Sequence, residues 1–425
     1  MDKLVIEPSG PLRGAVELSG AKNAALPIMA ACLLTEEESV IERVPRVKDV
    51  LTMAEILRSL GVEVLWEEEH LVVRPHRYAG WSAPYELVSL MRASLCVLGP
   101  LLARHGRARV SMPGGCIIGP RPIDLHLKGL EALGATIAIE HGDIIARADR
   151  LRGATVHLAG SFGSSVLATA NVMMAATLAE GTTVIECAAC EPEVVDLATC
   201  LSAMGAKISG CGTPLIQIEG VVQLHGVHHR MIPDRIEAGT LMMAAAMLGG
   251  EVRINGAVVE HLGAVIDTLA ETGVSIQQQN GSLCVRSTGE VKGVEVVTLP
   301  FPGFPTDLQA QMMAMMAVSR GVSLLTEKIY PERFMHVPEL TRMGAQINRE
   351  GPQAVIRGVT RLSGAPVNAT DLRASAALVL AGLMADNQTV LRGVEHLDRG
   401  YEHLEQKLTK LGARIQRIHS ASQNL

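Results

Sequence analysis

A short phrase recurs six times along the chain and constrains its architecture. The phrase has the form Leu-x-x-Leu/Met/Thr-Gly-Ala/Val-x-Ile/Val, and successive copies are 73, 71, 68, 71 and 68 residues apart. Its glycines are Gly61, Gly134, Gly205, Gly273, Gly344 and Gly412. Six units of about 70 residues account for nearly all 425 positions. One supersecondary block has therefore been reused, and the position of a residue within the repeat is a guide to its role.

Each unit has the pattern of a helix followed by a hairpin. In 340–358, a helical LTRMGA precedes strand QIN, a turn at Arg349, Glu350 and Gly351, and strand QAVIRG. The returning strands are predicted at 70–75, 143–148, 215–219, 283–287 and 353–357. The sixth unit, which ends in a strand at 414–418, lacks a returning strand. We expect Lys3–Glu7 (KLVIE) to supply it.

Six such units can bury themselves as one ring or as two triplets. Because a single core grows poorly beyond roughly 250 to 300 residues, we predict an α/β protein of two domains with three repeats each. The pattern is interrupted at 225–233 (HGVHHRMIP) and near Ser19 and Gly20. One domain is predicted to comprise 1–20 plus 231–425 and the other 21–230. The two chain connections make a hinge plausible.

The composition is that of a soluble enzyme with an aliphatic core. The chain is 48% hydrophobic and 19% charged with a net charge of −6, which gives no indication of nucleic-acid binding. The longest apolar run, Val166–Ala179, contains Thr and Asn and falls short of transmembrane length, and the first residues lack a signal-peptide pattern. We therefore expect a cytoplasmic protein without membrane insertion.

The cysteines and a histidine cluster have structural interpretations. Eight cysteines in a chain of 425 residues are interpreted as reduced thiols. Cys187 and Cys190 have no second pair to complete a zinc site, so we expect no metal there. His225, His228 and His229 have no carboxylate partner nearby in the sequence, and we interpret them as solvated linker rather than a metal site.

Cys116 has a different context. It lies in PGGCIIGPRP (113–122), which contains three glycines and three prolines and is therefore a loop. Arg121 follows five residues later, and a nearby cation can influence the pKa of an accessible thiol. The thiol is either an incidental loop cysteine or a group for proton donation and for covalent modification by electrophiles.

Polar residues gather at the start of an alanine-rich helix about 40 residues before each marker glycine. They are Lys22 with Asn23, Arg92 with Ser94, Ser164 with Ser165, Arg235 with Glu237, Thr306 with Asp307, and Asp371 with Arg373. Helix starts present unpaired N–H groups and the positive end of the helix dipole, so a ring of them with added cations forms an anion site. We predict ordinary N-capping for Ser164, Ser165 and Thr306. Capping does not explain Lys22, Arg92 or Arg373.

These residues indicate an enzyme that binds a compact polyanion between two domains. Asp307 is a possible base and Cys116 a possible acid. The sequence contains no P-loop or dinucleotide fingerprint, and no run of carboxylates beside the basic groups suggests Mg²⁺.

Six segments then carry a resemblance that spans the chain. They are LSGAKNAALP (18–27), GGCIIGPRPIDLHLKGLEALGA (114–135), PDRIEAGT (233–240), FPGFPTDLQAQ (301–311), RFMHVPEL (333–340) and HLDRGYE (396–402). They closely resemble the UDP-N-acetylglucosamine 1-carboxyvinyltransferases of the enolpyruvyl transferase family. The resemblance implies two inside-out α/β barrels of three repeats each, and no metal or organic cofactor.

The implied reaction transfers the enolpyruvyl group of phosphoenolpyruvate to the 3-hydroxyl of UDP-N-acetylglucosamine and releases phosphate, the first committed step of bacterial peptidoglycan synthesis. The shikimate-pathway enolpyruvyl transferase shares the fold and is the first alternative, although the cysteine in GGCIIGPRP favours the sugar-nucleotide enzyme. A catalytically dead paralogue that binds UDP-sugar is the second alternative.

The resemblance also assigns roles. Lys22, Arg121 and Arg399 would hold the phosphate and carboxylate of phosphoenolpyruvate, with Arg92 and Arg373 nearby. Asp307 would take the proton of the sugar hydroxyl, and Cys116 would be the loop acid associated with phosphate departure and product release. Fosfomycin, an epoxide that resembles phosphoenolpyruvate, would alkylate Cys116. The UDP-sugar pocket would be lined by Asn23, Pro122, Ile123, Asp124, Leu125, Ser161, Gly163 and Ile329.

One segment departs from the family pattern. From position 159 the chain reads AGSFGSSVLATAN, where the family usually shows Ser-Val-Gly-Ala-Thr, often after a basic residue. Phe162 and Ser164 replace Val and Ala, so backbone contacts from Ser161 and Gly163 could survive while a lysine to the uridine diphosphate is not evident. After UDP-sugar binding, we expect the 111–121 loop to close over the substrates.

Overall fold

The structure is a computed structural model that describes residues 2–75, 80–112 and 123–419. These residues separate into two compact units. Unit 1 contains 2–19 and 233–419, and unit 2 contains 20–75, 80–112 and 123–232. Within the described ranges, no helix has the length and apolar character needed to cross a membrane.

The strands are numbered in chain order. They are β1 (Lys3–Glu7), β2 (Leu12–Glu17), β3 (Ser39–Glu42), β4 (Glu63–Glu67), β5 (His70–Arg74), β6 (Ser82–Ala83), β7 (Arg107–Ser111), β8 (Thr136–Glu140), β9 (Asp143–Arg147), β10 (Thr155–His157), β11 (Ala159–Gly160), β12 (Gly163–Ser164), β13 (Thr182–Glu186), β14 (Lys207–Ser209), β15 (Leu215–Glu219), β16 (His228–Arg230), β17 (Gly250–Asn255), β18 (Ser275–Gln279), β19 (Ser282–Ser287), β20 (Glu295–Thr298), β21 (Val322–Glu327), β22 (Gln346–Glu350), β23 (Gln353–Arg357), β24 (Pro366–Asn368), β25 (Thr389–Arg392) and β26 (Arg414–Ile418).

The helices alternate with these strands. The α-helices are α1 (Lys22–Ala31), α2 (Lys48–Ser59), α3 (Tyr85–Val88), α4 (Leu98–His105), α5 (Asp124–Ala132), α6 (Val166–Ala176), α7 (Pro192–Ala203), α8 (Arg235–Leu248), α9 (Gly263–Glu271), α10 (Gln309–Met316), α11 (Val337–Arg342), α12 (Leu372–Leu383) and α13 (Leu404–Lys410). The 3-10 helices are Cys32–Leu34, Arg92–Val97, Val259–His261, Thr306–Leu308 and Val394–Arg399.

In the described part of the chain, six four-stranded sheets share one topology. Each has a parallel pair followed by two antiparallel neighbours. The orders are β16-β3-β5-β4, β6-β7-β9-β8 and β10-β13-β15-β14 in unit 2, and β2-β17-β19-β18, β20-β21-β23-β22 and β24-β25-β1-β26 in unit 1. The sequence repeat is therefore a repeat of α/β structure.

Two strands from distant parts of the chain complete the sheets of unit 1. β1 lies between β25 and β26 and is antiparallel to both, so Lys3–Glu7 occupies the place expected for the missing returning strand. β2 pairs in parallel with β17, with Leu12 opposite Gly250. The first residues of the chain are thus tied to the last repeats by backbone hydrogen bonds.

The recurring phrase is a helix stop. In the first copy, the N–H of Gly61 donates to the carbonyl of Arg58 at 2.9 Å and the N–H of Val62 to that of Leu57 at 3.1 Å. The same pair of bonds closes α5, α7, α9, α11 and α13, and all six glycines adopt φ between +82° and +105°. This is the Schellman motif, in which glycine takes the left-handed conformation at low cost. The leucine that opens each phrase is fully buried beneath the turn.

Three helices in each unit are buried on nearly all sides and pack against one another. In unit 1 they are α8, α10 and α12. In unit 2 they are α1, α6 and the Arg92–Val97 helix that continues into α4. Every residue of α10 is buried. A helix that is apolar all round needs such a position, so the starts of these helices are where polar residues stand out.

Two local expectations were wrong. Arg349 and Glu350, predicted in a turn, are the last residues of β22, because their backbones pair with Ala354 and Gln353 of β23. The histidines of 225–229 also have carboxylate partners. The pairs are His225–Glu37, His228–Glu42 and His229–Asp196, with nitrogen–oxygen distances of 3.1, 2.8 and 2.9 Å. β16 places His228 and His229 beside β3. His228 and its partner Glu42 are 186 residues apart in the sequence.

Candidate functional site

Asp307 is the centre of a charged cluster in unit 1. It lies in the 3-10 turn before α10, where Oδ1 accepts a hydrogen bond from Arg333 Nη1 at 2.8 Å and Oδ2 accepts one from Arg373 Nη2 at 2.9 Å. Burial alone raises the pKa of Asp307, but the Arg373 and Arg333 charges outweigh it and hold that pKa well below its usual value. Its side chain is 25% exposed, so the ionised carboxylate remains accessible.

Arg373 is fixed from several directions. Asp371 is the N-cap of α12 and accepts hydrogen bonds from the backbone N–H of Arg373 and of the next residue, at 2.8 and 3.1 Å. The guanidinium lies over the Tyr401 ring, 5.2 Å from its centroid. The Tyr401 hydroxyl in turn bonds to Thr240 and Gln311, each at 2.8 Å. The side chain of Arg373 is 2% exposed, so a buried cation stands at the start of this helix.

The other predicted helix-start residues of unit 1 have different partners. Glu237 is buried, accepts the N–H of Ser19 at 2.7 Å and pairs with Lys407 at 2.5 Å. Burial raises the pKa of Glu237 despite the Lys407 charge. Arg235 lies over the Phe301 ring at 5.6 Å. These contacts stabilise the start of α8.

Capping was predicted correctly at one of three positions. Ser165 is the N-cap of α6 and accepts from the N–H of Ala168 at 3.3 Å. Ser164 instead ends the short strand β12. Thr306 makes no cap, because its hydroxyl donates to Glu327 and accepts from Arg333.

In unit 2, Lys22 opens α1. Its side chain is nearly buried and its Nζ lies 2.7 Å from Oδ2 of Asp49, in the first turn of α2. Asp49 is itself 2% exposed. The sequence did not predict Asp49 as the partner of Lys22, because Asp49 belongs to the next helix and is not part of a recognisable motif. Asn23 follows Lys22 and is half-buried.

Arg92 opens the 3-10 helix Arg92–Val97 and is half-buried. Next to it a neutral network joins three helices: Asn171 Nδ2 donates to Leu95 O at 3.0 Å and lies 3.1 Å from His126 Nδ1. Burial, with a smaller contribution from the Arg92 charge, lowers the pKa of His126 to about 3. His126 is therefore neutral at pH 7, and the cation in this part of the site is Arg92.

The remaining predicted residues fall into both units. Ile123 is buried before α5, whereas Asp124 is exposed and Leu125 half-buried. A Cβ on Gly160 would lie 3.3 Å from the Leu125 side chain, so the β11–β12 hairpin packs beside the start of α5. Ser161 in its turn and Gly163 at the start of β12 are both exposed. In unit 1, Ile329 follows β21 and Arg399 ends the 3-10 helix Val394–Arg399. Cys116, Arg121 and Pro122 lie outside the described residues.

Arg333 is the functional candidate that sequence reasoning passed over. It stands at the start of RFMHVPEL, is 6% exposed and directly holds Asp307. Its separation of 26 residues from Asp307 gave no local signal.

The described cysteines form no disulfide. Seven cysteines of the described ranges are free. Burial raises the pKa of Cys32 and of Cys96 to about 12 in each case, which makes these two thiols unreactive. Within 2–75, 80–112 and 123–419, no group of three or more His, Cys, Asp or Glu side chains is placed to hold a metal ion.

The fold is that of the enolpyruvyl transferases. The sequence model of the family described as EPSP synthase (3-phosphoshikimate 1-carboxyvinyltransferase) matches residues 6–408. The structure is similar to that of the enolpyruvyl transferase NikO from Streptomyces tendae, with a TM-score of 0.88, 26% identity and 99% of each chain covered. An EPSP synthase from Acinetobacter baumannii shares the fold at a TM-score of 0.75 and 17% identity, with 99% of this chain and 100% of that chain covered.

Curated relatives narrow the class. The chain is 54% identical over 420 residues to UDP-N-acetylglucosamine 1-carboxyvinyltransferase of Methylacidiphilum infernorum, covering 99% of this chain and all of the relative. It is also 54% identical over 421 residues to the enzyme of that name from Gluconacetobacter diazotrophicus, covering 98% and 100%. The chain belongs to the enolpyruvyl transferase family and, within it, to the UDP-N-acetylglucosamine 1-carboxyvinyltransferases.

Proposed function

We propose that this protein transfers the enolpyruvyl group of phosphoenolpyruvate to the 3-hydroxyl of UDP-N-acetylglucosamine and releases phosphate, the first committed step of peptidoglycan biosynthesis. The observation that carries the proposal is the 54% identity, over nearly the whole chain, to relatives of that name. The buried cations Lys22 and Arg373 at helix starts support it, because both substrates are anionic.

The chemistry is an addition followed by an elimination. Protonation of C3 of phosphoenolpyruvate makes C2 electrophilic, and the sugar oxygen forms a bond to C2 as its proton leaves. The tetrahedral ketal then loses a proton from C3 and the bond between C2 and the phosphate oxygen breaks, which restores the double bond. Each half needs a base, an acid and fixed positive charge.

We assign the sugar hydroxyl proton to Asp307. Its two arginine partners keep it ionised, which is the form that accepts a proton, yet a carboxylate with a lowered pKa is a weak base. Guanidinium groups bind both carboxylate and phosphate. An anionic substrate that shares Arg373 would therefore weaken its hold on Asp307 and make the carboxylate more basic when both substrates are present.

The remaining roles follow the resemblance. Lys22, Arg399 and Arg121 are proposed to bind phosphoenolpyruvate, with Arg92 and Arg373 nearby. Cys116 is proposed as the loop acid and as the target of fosfomycin. The UDP-sugar is proposed to contact Asn23, Pro122, Ile123, Asp124, Leu125, Ser161, Gly163 and Ile329.

Two broader features belong to the same proposal. Each unit is proposed to be an inside-out α/β barrel of three repeats, which the three mutually packed central helices support. The protein is proposed to act in the bacterial cytoplasm without a metal or organic cofactor and without insertion into a membrane.

The test is phosphate release from phosphoenolpyruvate in the presence of either UDP-N-acetylglucosamine or shikimate 3-phosphate. We expect release with the UDP-sugar alone, and its loss after fosfomycin treatment through modification of Cys116. A Cys116→Ser variant tests whether the loss of phosphate release comes from modification of this thiol, because fosfomycin should not modify the variant. Release only with shikimate 3-phosphate would contradict the proposal, and UDP-sugar binding without turnover would indicate a binding paralogue.

A further inference from the structure

Glu327 is a buried carboxylate with no place in the reaction described above. It ends β21, is 0% exposed and accepts four hydrogen bonds. Oε1 accepts from the Thr298 hydroxyl at 2.7 Å and from the backbone N–H groups of Ile329 and Tyr330 at 2.8 and 2.9 Å. Oε2 accepts from the Thr306 hydroxyl at 2.9 Å. A buried carboxylate with so many donors fixes the groups that surround it.

The Thr306 hydroxyl transmits this constraint to the charged cluster. A hydroxyl has one proton, and because Thr306 donates it to Glu327, its oxygen faces Arg333 as an acceptor. Arg333 Nη1 donates to that oxygen at 3.0 Å and to Asp307 Oδ1 at 2.8 Å. Arginine can only donate, so the direction of every bond in the series is fixed.

Arg333 is also held at its backbone. Gln309, in the first turn of α10, is 0% exposed and donates from Nε2 to the Arg333 carbonyl at 3.0 Å. The guanidinium therefore has an anchored main chain and, through Thr306, an anchored tip. Since Asp307 lies in the same 3-10 turn as Thr306, that turn carries both the acceptor that orients Arg333 and the carboxylate that Arg333 holds.

We propose that Glu327, acting through Thr306, is a positioning element that sets the geometry of the Arg333–Asp307 pair. The assignment rests on the proposed function, in which Asp307 takes the proton of the sugar hydroxyl. Glu327 is a positioning residue because its contacts are Thr298, Thr306 and the Ile329–Tyr330 backbone. Its effect should appear in turnover, since misplacing a reacting group by about 1 Å can cost about 100-fold in rate.

The test is the steady-state kinetics of Thr306→Val, Thr306→Ser and a matched control. Thr306→Val removes the hydroxyl and should lower kcat at least about 10-fold while the KM for UDP-N-acetylglucosamine changes less than about twofold. Thr306→Ser keeps the hydroxyl and should restore most of kcat. Thr272→Val makes the same substitution at a buried threonine of unit 1 whose hydroxyl donates to the carbonyl of Leu269 in α9. It should leave kcat unchanged.

Several outcomes would overturn the proposal. They are an unchanged kcat in Thr306→Val, an equal loss in Thr272→Val, or no rescue by Thr306→Ser. If Thr306→Val fails to fold, the kcat of Glu327→Gln is measured instead. The amide of this variant places N–H donors opposite the Thr306 proton, so kcat should fall in the same way. A wild-type protein without UDP-sugar-dependent phosphate release would overturn the proposed function itself, whereas an active wild type with equally active variants would overturn only this assignment.

Discussion

The two units share one sheet topology and differ in how they hold charge. In unit 1 the carboxylate of Asp307 is bound by two arginines. One of them, Arg333, also donates to the Thr306 hydroxyl, which donates to Glu327. In unit 2 the cation Lys22 pairs with the carboxylate of Asp49, and the neutral side chain of Asn171 donates a hydrogen bond from one central helix to the Leu95 carbonyl of another. The repeated fold therefore supplies equivalent helix starts, and the side chains placed on them supply different chemistry.

The difference suggests a division of work. Both units carry a cation at a helix start, Arg373 in unit 1 and Lys22 in unit 2, whereas the ionised carboxylate held by two arginines, Asp307, lies in unit 1.

Asp307→Asn should cause the largest loss, because the amide cannot take the proton of the sugar hydroxyl. We expect kcat to fall by about 10²- to 10⁴-fold, the usual contribution of a general base. Phosphate release under saturating substrates measures it, with Asp267→Asn, an exposed position on α9, as the control. Full turnover in Asp307→Asn would show that Asp307 is not the base that takes the sugar hydroxyl proton.

Lys22→Met tests the cation of unit 2 and should lower turnover by about 10²- to 10³-fold, in the range found when a preorganised electrostatic group is lost. Asp49→Asn should act in the same direction but less, because it leaves the charge in place and removes only its anchor. Lys48→Met, an exposed neighbour, is the control. A more severe effect of Asp49→Asn than of Lys22→Met would show that the pair serves stability instead.

Among the described residues, His126 of unit 2 and His336 of unit 1 are buried and neutral, and both should make stability depend on pH. Burial lowers the pKa of His126 to about 3 and that of His336 to about 4. Below pH 6.5, about the pKa of histidine in the unfolded chain, each of these histidines binds a proton in the unfolded state but stays neutral in the native state. The free energy of unfolding therefore falls as pH falls, by up to about 1.4 kcal/mol per pH unit and per histidine. The fall should extend to about pH 3 for His126 and about pH 4 for His336.

Urea unfolding of His126→Gln and His336→Gln at pH 7 and pH 5 measures this effect. Each variant should lose less stability than the wild type between the two pH values. His419→Gln, at an exposed position, should behave like the wild type. Identical pH dependence in all four proteins would contradict the neutral buried state.

The smallest effects concern the helix stops, where the two units should behave alike. Gly134→Ala in unit 2 and Gly344→Ala in unit 1 place a side chain at φ of +96° and +90°, which costs about 1–2 kcal/mol each. Gly263→Ala, at a glycine without positive φ and with open space around it, should cost nothing. Unequal losses at the two helix stops would show that the repeats are not energetically equivalent.

What the sequence could predict was local or periodic. The six helix stops and the returning strands were readable because a Schellman turn and a hairpin each need only a short stretch of chain. Asp49 and Arg333 were not readable as partners of Lys22 and Asp307, since nothing within the helix-start motif refers to them. Thr306 was misread for a related reason: a threonine before a helix looks like a cap until the distant acceptor, Glu327, is known.

The most direct test of the central claim is mass-spectrometric identification of the product formed from phosphoenolpyruvate and UDP-N-acetylglucosamine. We expect one enolpyruvyl ether at the sugar 3-hydroxyl for each phosphate released, with formation strongly reduced by Asp307→Asn in unit 1 and by Lys22→Met in unit 2. Absence of the ether with the wild-type protein would contradict the proposed reaction, and undiminished formation by either variant would contradict the role proposed for that residue.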